Sequence, residues 1–519
     1  MPSDPLPPSA PVFPISRRAS MGVMLGACAA VAAPGLLFSR PLLARTAREP
    51  AQRPWLIQPK DLQPGAPLTA APLKVKLPGL GQHDMSAYNG ALPGPTIRLR
   101  TGQAFRQQVR NRLKEDTVVH WHGLPAPTEM DGQPRYPLRP GEDADIAFDI
   151  RQRAGLYWYH PHPHEKTASQ AWQGMAGLIV VGDEEEDALG LPAGGQELLL
   201  VLRDAQLNGK KKWVYPNTPS GSLGDFPMVN GVPWPRTRLP NQWVRLRILN
   251  GANARVFMLR CRHGKEALPL VVIGNDGGLL EAPATVERIE MAPAERVDVL
   301  LDLRRIAPGS HIGLHCEAAG WKLLDIEITQ ATAPAEGQAV ASPAAANWEP
   351  PARLSRIEPL AHPSTAPGAK AEDAEPDRAF IFQDNTLING LTHDIYRTDF
   401  AVPFGKVERW RFVAIGETPH PVHMHGAHFQ VVGGAAADGQ PRRIEAWEKG
   451  WKDTVLARPG EAVDVLVRFD AYEGNYLLHC HNLEHEDGGM MMNFLVSRNM
   501  EMAQRRIEAE RLFGYDPLC

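Results

Sequence analysis

The sequence predicts an all-β protein built from a repeated domain, and three observations carry that prediction. Short runs rich in β-branched and aromatic residues recur along most of the chain, bounded by Pro and Gly. Gly and Pro, 46 and 49 residues, make up about a fifth of the 519, more than an ordinary globular share and less than a disordered composition. Finally, one passage occurs three times. Gly141-Glu142-Asp143-Ala144-Asp145 leads through a strand to Gly155-Leu156-Tyr157-Trp158-Tyr159-His160. Gly460-Glu461-Ala462-Val463-Asp464 leads through a strand to 474–479. Glu295-Arg296-Val297-Asp298 leads to Gly309-Ser310-His311-Ile312-Gly313-Leu314-His315-Cys316. A spacing well above about fifty residues indicates duplicated domains, not a solenoid. A chain of this length also exceeds one ordinary core.

In order along the chain, residues 1–44 read as an export signal. Ser16-Arg17-Arg18 precede an apolar run over 21–38, and Leu42-Leu43-Ala44 offers a small-residue cleavage site. The paired arginines resemble the signal of the twin-arginine pathway, whose export machinery is therefore an expected partner. Pro34-Gly35 interrupts the run, so no stable membrane anchor is expected after processing, and the mature protein is expected to be periplasmic or secreted. Residues 55–183 form a first β domain, with strand-like runs at 73–77, 96–99, 105–109 and 177–181. Residues 195–330 form a second, with runs at 197–202, 244–249, 297–303 and 324–328. Residues 331–375 are rich in Ala, Pro and Glu and read as a linker or long surface loop. The third domain spans 376–519, its strands running to about 498, with 500–512 as a short terminal helix.

The formal net charge of -4 offers no basic footprint for nucleic acid. Five cysteines, Cys28, Cys261, Cys316, Cys480 and Cys519, do not make a disulfide framework. Cys28 leaves with the signal, and Cys261 could pair with Cys316. Histidine says more, because ten of the 18 fall in four short clusters. They are His120-Trp121-His122, His160-Pro161-His162, His420-Pro421-Val422-His423-Met424-His425, and His479-Cys480-His481 followed by His485.

On an extended backbone successive side chains point to opposite faces, so each His-x-His pair puts two imidazoles on one side. Four pairs give eight imidazoles, enough for a cluster of three copper ions. The same parity turns Cys480 away from His479 and His481, and His420 away from His423 and His425. With His485 and Met490 these two make a Cys-His-His-Met set, the donors of a blue-copper site. Spacing alone thus predicts a mononuclear site on one side of a strand and a polynuclear site on the other.

In this pattern the chain resembles the three-domain multicopper oxidases of the laccase-like, bacterial periplasmic type. All four histidine motifs stand in the family's order and lie in the first and third domains; the middle domain matches only in strand pattern. The resemblance implies three cupredoxin-like Greek-key β-barrel domains and four copper ions. Position by position, type 1 copper takes Cys480, His420 and His485, with Met490 axial. Type 2 copper takes His120 and His423. The binuclear type 3 pair takes His122, His160, His162, His425, His479 and His481. The Met490 thioether is expected to hold the type 1 potential below that of members with an aliphatic residue there. No ligands are expected in the middle domain, where Glu317 follows Cys316 and Trp321 stands at the distal position. Met491 and Met492 read as strand packing, and His164 as a residue beside the site or on the surface.

The resemblance also implies a reaction. Electrons pass from a small reducing substrate through Cys480 and its flanking histidines to the three-copper cluster between domains 1 and 3, where O2 becomes two waters. The protons are expected from Asp131, eleven residues after His120, and Glu486, directly after His485. Asp131 can also be read as an Asp-Gly turn residue, and Glu484 and Asp487 are further acid candidates. A relay carboxylate should be buried and have a shifted pKa. Neither 331–375 nor Gly416-Glu417-Thr418-Pro419 contains methionine, so the methionine-rich insertion of cuprous oxidases is missing. A phenol or aromatic amine is the expected donor, oxidised at an exposed edge of His485 or His420. Oxidation of cuprous, ferrous or manganous ions is the alternative. A copper carrier or scaffold of the same fold would need neither ten intact histidines nor the Cys-linked geometry. Copper nitrite reductase chemistry uses no binuclear pair.

Overall fold

The computed structural model of the chain describes residues 47–331, 348–363 and 375–513. The predicted export signal and most of the Ala/Pro/Glu-rich stretch lie outside these residues. The fold is all-β, with cupredoxin-like domains, and the strands of the described residues form six sheets that pair off along the chain.

The first pair has strand order Gly81–Tyr88, Leu68–Leu77, Ala104–Asn111, Asp143–Asp149 in one sheet. The other runs Gly94–Arg100, Gly177–Gly182, Gly155–Pro161, Val119–His120. Phe105, Trp121, Tyr157, Tyr159 and Ile179 fill the space between them. In the C-terminal pair, one sheet runs Leu387–Ile388, Arg378–Gln383, Val407–Ala414, Ala462–Arg468, Phe429–Ala435. Its mate runs Phe400–Pro403, Met491–Ser497, Gly474–Cys480, His420–Met424, Thr454–Ala457.

Each sheet contains one parallel strand pair. Leu68–Leu77 runs parallel to Ala104–Asn111, Glu197–Ala205 to Trp243–Asn250, and Arg378–Gln383 to Val407–Ala414. A parallel pair cannot be closed by a hairpin. Between its members the chain therefore crosses to the facing sheet, laying down Gly94–Arg100, Arg236–Pro240 and Phe400–Pro403 respectively. The repeated sequence passage is the later return step, in which Asp143–Asp149, Arg296–Asp302 and Ala462–Arg468 each hand the chain to the facing sheet at Gly155–Pro161, His311–Cys316 and Gly474–Cys480.

Register shows where the copies diverge. His120 pairs with His160 and His423 with His479, but the corresponding middle strands pair Leu259 with Cys316. Cys316 thus occupies a cluster-like position in an apolar core, among Leu259, Leu314 and Trp321. Cys261 opposes Leu314, so it meets Cys316 only diagonally. Diagonal neighbours lie about 7–8 Å apart, beyond the roughly 4.4–6.8 Å Cα span of a disulfide. Both are free thiols, which closes the pairing left open by sequence.

Residues 348–363 have little regular structure yet are packed. Leu354 N donates to Glu281 O (2.8 Å) and Ser355 Oγ to Leu280 O (2.9 Å), while Leu360 N donates to Gln430 Oε1 (2.8 Å). This strap therefore joins the middle sheets to the last ones. The terminal helix Met500–Phe513 packs Ala503 and Ile507 on Ala401 and Leu495. Among the described residues no helix is long and apolar enough to cross a membrane.

Phe494 sits behind the Cys480 strand, opposite Tyr476, with Phe400, Trp410 and Phe469 around it. Phe494→Ala is expected to cost about 3–5 kcal/mol, read as a lower urea midpoint of unfolding.

Candidate metal centres

The strand Gly474–Cys480 divides its side chains as its alternation requires. Tyr476, Leu478 and Cys480 enter the core of the last two sheets, together with Val422 and Met424 from the neighbouring strand. Cys480 faces Val422 and His479 faces His423 across the ladder. His479 and His423 consequently turn to the opposite side, toward the first domain.

On the core side, Cys480 Sγ lies 3.5 Å from His420 Nδ1 and 3.4 Å from His485 Nδ1. The helix Leu483–Asp487 returns His485 to this point. It is capped by Asn482, and the turn closes where Met490 N donates to His485 O (2.9 Å) and Cys480 N to Met490 O (3.1 Å). Met490 is fully buried beside the strand. Burial lowers His420 to about 4 and His485 to about 3 and raises the Cys480 thiol. Both imidazoles are therefore neutral donors, and a bound cation would displace the thiol proton. The expected exposed edge is not present: His420 and His485 are each 0% exposed. A segment of the middle domain around Ser220 covers His485.

On the other side the eight remaining histidines converge. Their closest contacts are between ring nitrogens: His425 Nε2 to His479 Nε2 at 3.2 Å, His160 Nε2 to His481 Nε2 at 3.4 Å, and His120 Nε2 to His423 Nε2 at 3.5 Å. The tautomers follow from the other nitrogen. His120 Nδ1 donates to Asp131 O (2.7 Å), His423 Nδ1 to Asp453 O (2.8 Å) and His160 Nδ1 to Pro161 O (3.0 Å). His425 Nδ1 donates to Asp131 Oδ2 (2.7 Å) and His479 Nδ1 to Cys480 O (3.2 Å). Carbonyls only accept, so each such ring presents a bare Nε2 lone pair inward. Burial lowers His120 to about 3 and holds His122, His160, His162, His423, His425 and His481 well below the usual imidazole value. His122 is reversed: its Nε2 meets Asp453 Oδ1 at 3.0 Å, and its buried Nδ1 has no partner. Facing lone pairs, an orphaned Nδ1 and neutral rings fit metal cations, and imidazole fits copper. Three donor groups, His120/His423/His425, His162/His425/His479 and His120/His122/His160, have ligand atoms within 4.8 Å of one another.

Both predicted acids lie against this cluster. Asp131 is fully buried, and burial raises it to about 8. It is also the turn residue of the alternative reading. The turn needs Gly132, at φ +83, where a Cβ would stand 1.9 Å from Val119 O. Glu486 is 1% exposed and lies 3.3 Å from both His162 Nδ1 and His479 Nδ1. The other two acids have different contacts. Asp487 accepts from Thr167 N and Ala168 N (2.9 Å each), and Glu484 accepts from three middle-domain groups. His164 is partly exposed, its ring 5.9 Å from that of His393.

Sequence reading missed Asp453. Burial opposes its ionisation, but Arg296 overrides this and holds it well below the usual carboxylate value. Arg296 Nη1 donates to Asp453 Oδ1 (2.7 Å), and Arg296 also pairs with Asp276, as does Lys452 (2.9 Å). All four side chains are 0–1% exposed. The middle domain, whose described residues include no metal-holding group, thus fixes an acid that touches His122 and His423. One signal was available: Lys452-Asp453 stands directly before the buried strand Thr454–Ala457, where unpaired charge would be costly.

Arg296→Met would strand Asp453 and Asp276, at a cost of about 3–5 kcal/mol. The expected result is less metal per chain after dialysis, with partial retention in Arg296→Lys. Full retention in Arg296→Met would show that the cluster does not depend on this pair.

Residues 70–186 and 364–500 match two profiles, each described as "Multicopper oxidase". The multicopper oxidase mco of Staphylococcus haemolyticus (strain JCSC1435) is 30% identical over 415 residues, 79% of this chain and 83% of its own. Cell division protein FtsP of Edwardsiella tarda (strain FL6-60) is 31% identical over 423 residues, 79% of this chain and 84% of its own. Among solved structures, the McoA multicopper oxidase from the hyperthermophile Aquifex aeolicus superposes with a TM-score of 0.74 at 32% identity, covering 86% of this chain and 100% of that one. Identity that runs through both histidine-bearing domains and the one between them settles the family: the chain belongs to the multicopper oxidases.

Proposed function

We propose that this protein is a copper-dependent oxidase that takes single electrons from a small reducing substrate and reduces O2 to water. The observation that carries this reading is the division of His479-Cys480-His481. Its sulfur lies in one donor set, and the imidazoles on either side lie in the other. Cys480, His420, His485 and Met490 would hold a type 1 copper, and His120 and His423 a type 2 copper. His122, His160 and His481, with His162, His425 and His479, would hold the type 3 pair. When bound, the four copper ions supply one-electron acceptance from the donor and four-electron delivery to O2. The chain itself supplies the short covalent path from Cys480 to both neighbours and the exclusion of bulk water from all the ligands.

Protons come from the chain as well. Asp131, whose Oδ2 accepts from His425 Nδ1, would carry one on its other oxygen, and Glu486 stands between His162 and His479. A phenol or aromatic amine is the first donor class and a cuprous, ferrous or manganous ion the second. Export by the twin-arginine route would place the protein in the periplasm or outside the cell. The FtsP name among the relatives raises a second reading, a non-catalytic protein of the same fold. The complete donor set speaks against it.

The deciding measurement is an absorption spectrum of copper-loaded protein, reduced under argon and then opened to air. An intense blue band that bleaches and returns with oxygen supports the oxidase; no blue band at full copper occupancy favours the carrier or scaffold. Cys480→Ser is expected to abolish both that band and phenol turnover, and wild-type rates in this variant would overturn the electron path. Glu486→Gln is expected to slow reoxidation by O2 while reduction by the donor stays fast. Reoxidation at the wild-type rate would remove Glu486 from proton supply.

A further inference from the structure

We propose that His164 and His393 form a further copper site, separate from both metal centres and open to solvent at the seam between the first and last domains. Neither residue has a part in the oxidase reading, so the site stands or falls apart from it.

In sequence His164 continues the spacing of His160 and His162, but it lies beyond the strand Gly155–Pro161 and its side chain is 39% exposed. His393 comes from a loop of the last domain. One element brings the two together, the helix Leu483–Asp487 with the turn after it. Asp487 accepts from Thr167 N and Ala168 N (2.9 Å each), which fixes the loop that carries His164. His393 N donates to Gly489 O (2.8 Å), and Asn493 Nδ2 to Asp394 O and Arg397 O (2.8 Å each), which fixes the other. Arg135 of the first domain then reaches across to Ile395 O (2.8 Å). Loops tied at this many points hold their side chains in place before any ion arrives.

The rings themselves fit an ion. Nδ1 and Nε2 of His393 are both buried, and neither has a hydrogen-bond partner. Such atoms are costly to keep and call for a reason. Burial lowers the pKa of this ring to about 3, so what it offers is a lone pair. Both arginines whose charge acts on it are engaged elsewhere, Arg135 with Ile395 O and Arg397 with Asp399 (2.5 Å). The His164 ring stands 5.9 Å from the His393 ring, centre to centre. An ion about 2 Å from an imidazole nitrogen is about 3 Å from the ring centre, so two rings sharing it lie between about 5 and 6 Å apart, from a tetrahedral to a nearly linear angle. His420 and His485, which face one sulfur, are 5.2 Å apart. Glu165 Oε1 lies 3.7 Å from His164 Nδ1. A carboxylate behind one nitrogen leaves the other for the metal, as is usual at histidine ligands. Imidazole donors suit several first-row metals, and among the divalent ions copper binds them most tightly.

The test uses the full chain, loaded with copper and freed of excess, then brought to equilibrium with added Cu(II) by dialysis. Metal analysis and electron paramagnetic resonance follow the binding. Wild type is expected to hold one copper ion per chain more than either His164→Gln or His393→Gln, each of which should bind that ion at least about tenfold more weakly. A mild chelator should remove it and leave the visible spectrum of the remaining copper unchanged. Independently, the added Cu(II) should shield His164 from diethylpyrocarbonate in wild type but not in His393→Gln, read by mass spectrometry of peptides. Equal copper in wild type and both variants overturns the site. Loss in only one of the two overturns the pair, and His164→Gln, at an exposed position, decides the matter even where His393→Gln fails to fold. His311, exposed beside Asp325, is the control. Loss of the same ion in His311→Gln would mark it as adventitious copper on surface histidines and end the proposal.

Discussion

Imidazole nitrogens facing one another at 3.2–3.5 Å are the constraint on which the rest of this structure depends. Two lone pairs at that distance repel, and burial removes the water that would screen them. No single ring could hold such a position unaided. Five of the six rings, all but His481, are held from behind by a carbonyl or carboxylate at the other nitrogen, which fixes the angle of the ring. The layer behind the histidines therefore decides whether the donors point inward before a cation arrives. Asp131, Asp453 and Glu486 belong to that layer, and each touches two histidines of the cluster.

That layer also draws on the middle domain, whose described residues include no metal-holding group. Where the outer copies place histidines opposite each other, the middle one places Leu259 opposite Cys316 and becomes an apolar core. What it contributes is fixed charge and fixed surface. Arg296 keeps Asp453 ionised beside His122, and the groups around Ser222 and Asn253 satisfy Glu484 beside His485. The middle domain thus reaches both centres, through carboxylates held between domains. Breaking either contact leaves an unpaired group in a dry environment, so each is costly to lose once formed.

Much of this was legible in the sequence because parity on a strand is a local property. The His-x-His spacing fixes which side each imidazole takes, whatever the strand packs against, so the separation of Cys480 from His479 and His481 could be read without a fold. Turn residues and the threefold passage gave the all-β class for the same reason. The unread features are not local. Asp453 lies 331 positions from His122, and Arg296 lies 157 from Asp453; neither spacing carries a pattern. The burial of His420 and His485 was misjudged because the covering segment comes from another domain, some 262 positions before Asn482. Cys261 and Cys316 were left open because only the ladder register shows them to be diagonal.

The helix Leu483–Asp487 shows how tightly these requirements are coupled. Successive residues on a helix point about 100° apart, so four in a row sample every direction around its axis. Here each direction meets a different body. Glu484 turns to the middle domain, His485 to the Cys480 sulfur, and Glu486 to His162 and His479. Asp487 turns to Thr167 N and Ala168 N of the first domain. An inserted or deleted residue would rotate all four at once and misdirect each. A short helix that must serve three domains and both metal centres has no residue free to drift, which is why Asn482 caps its start and Met490 closes its end against Cys480.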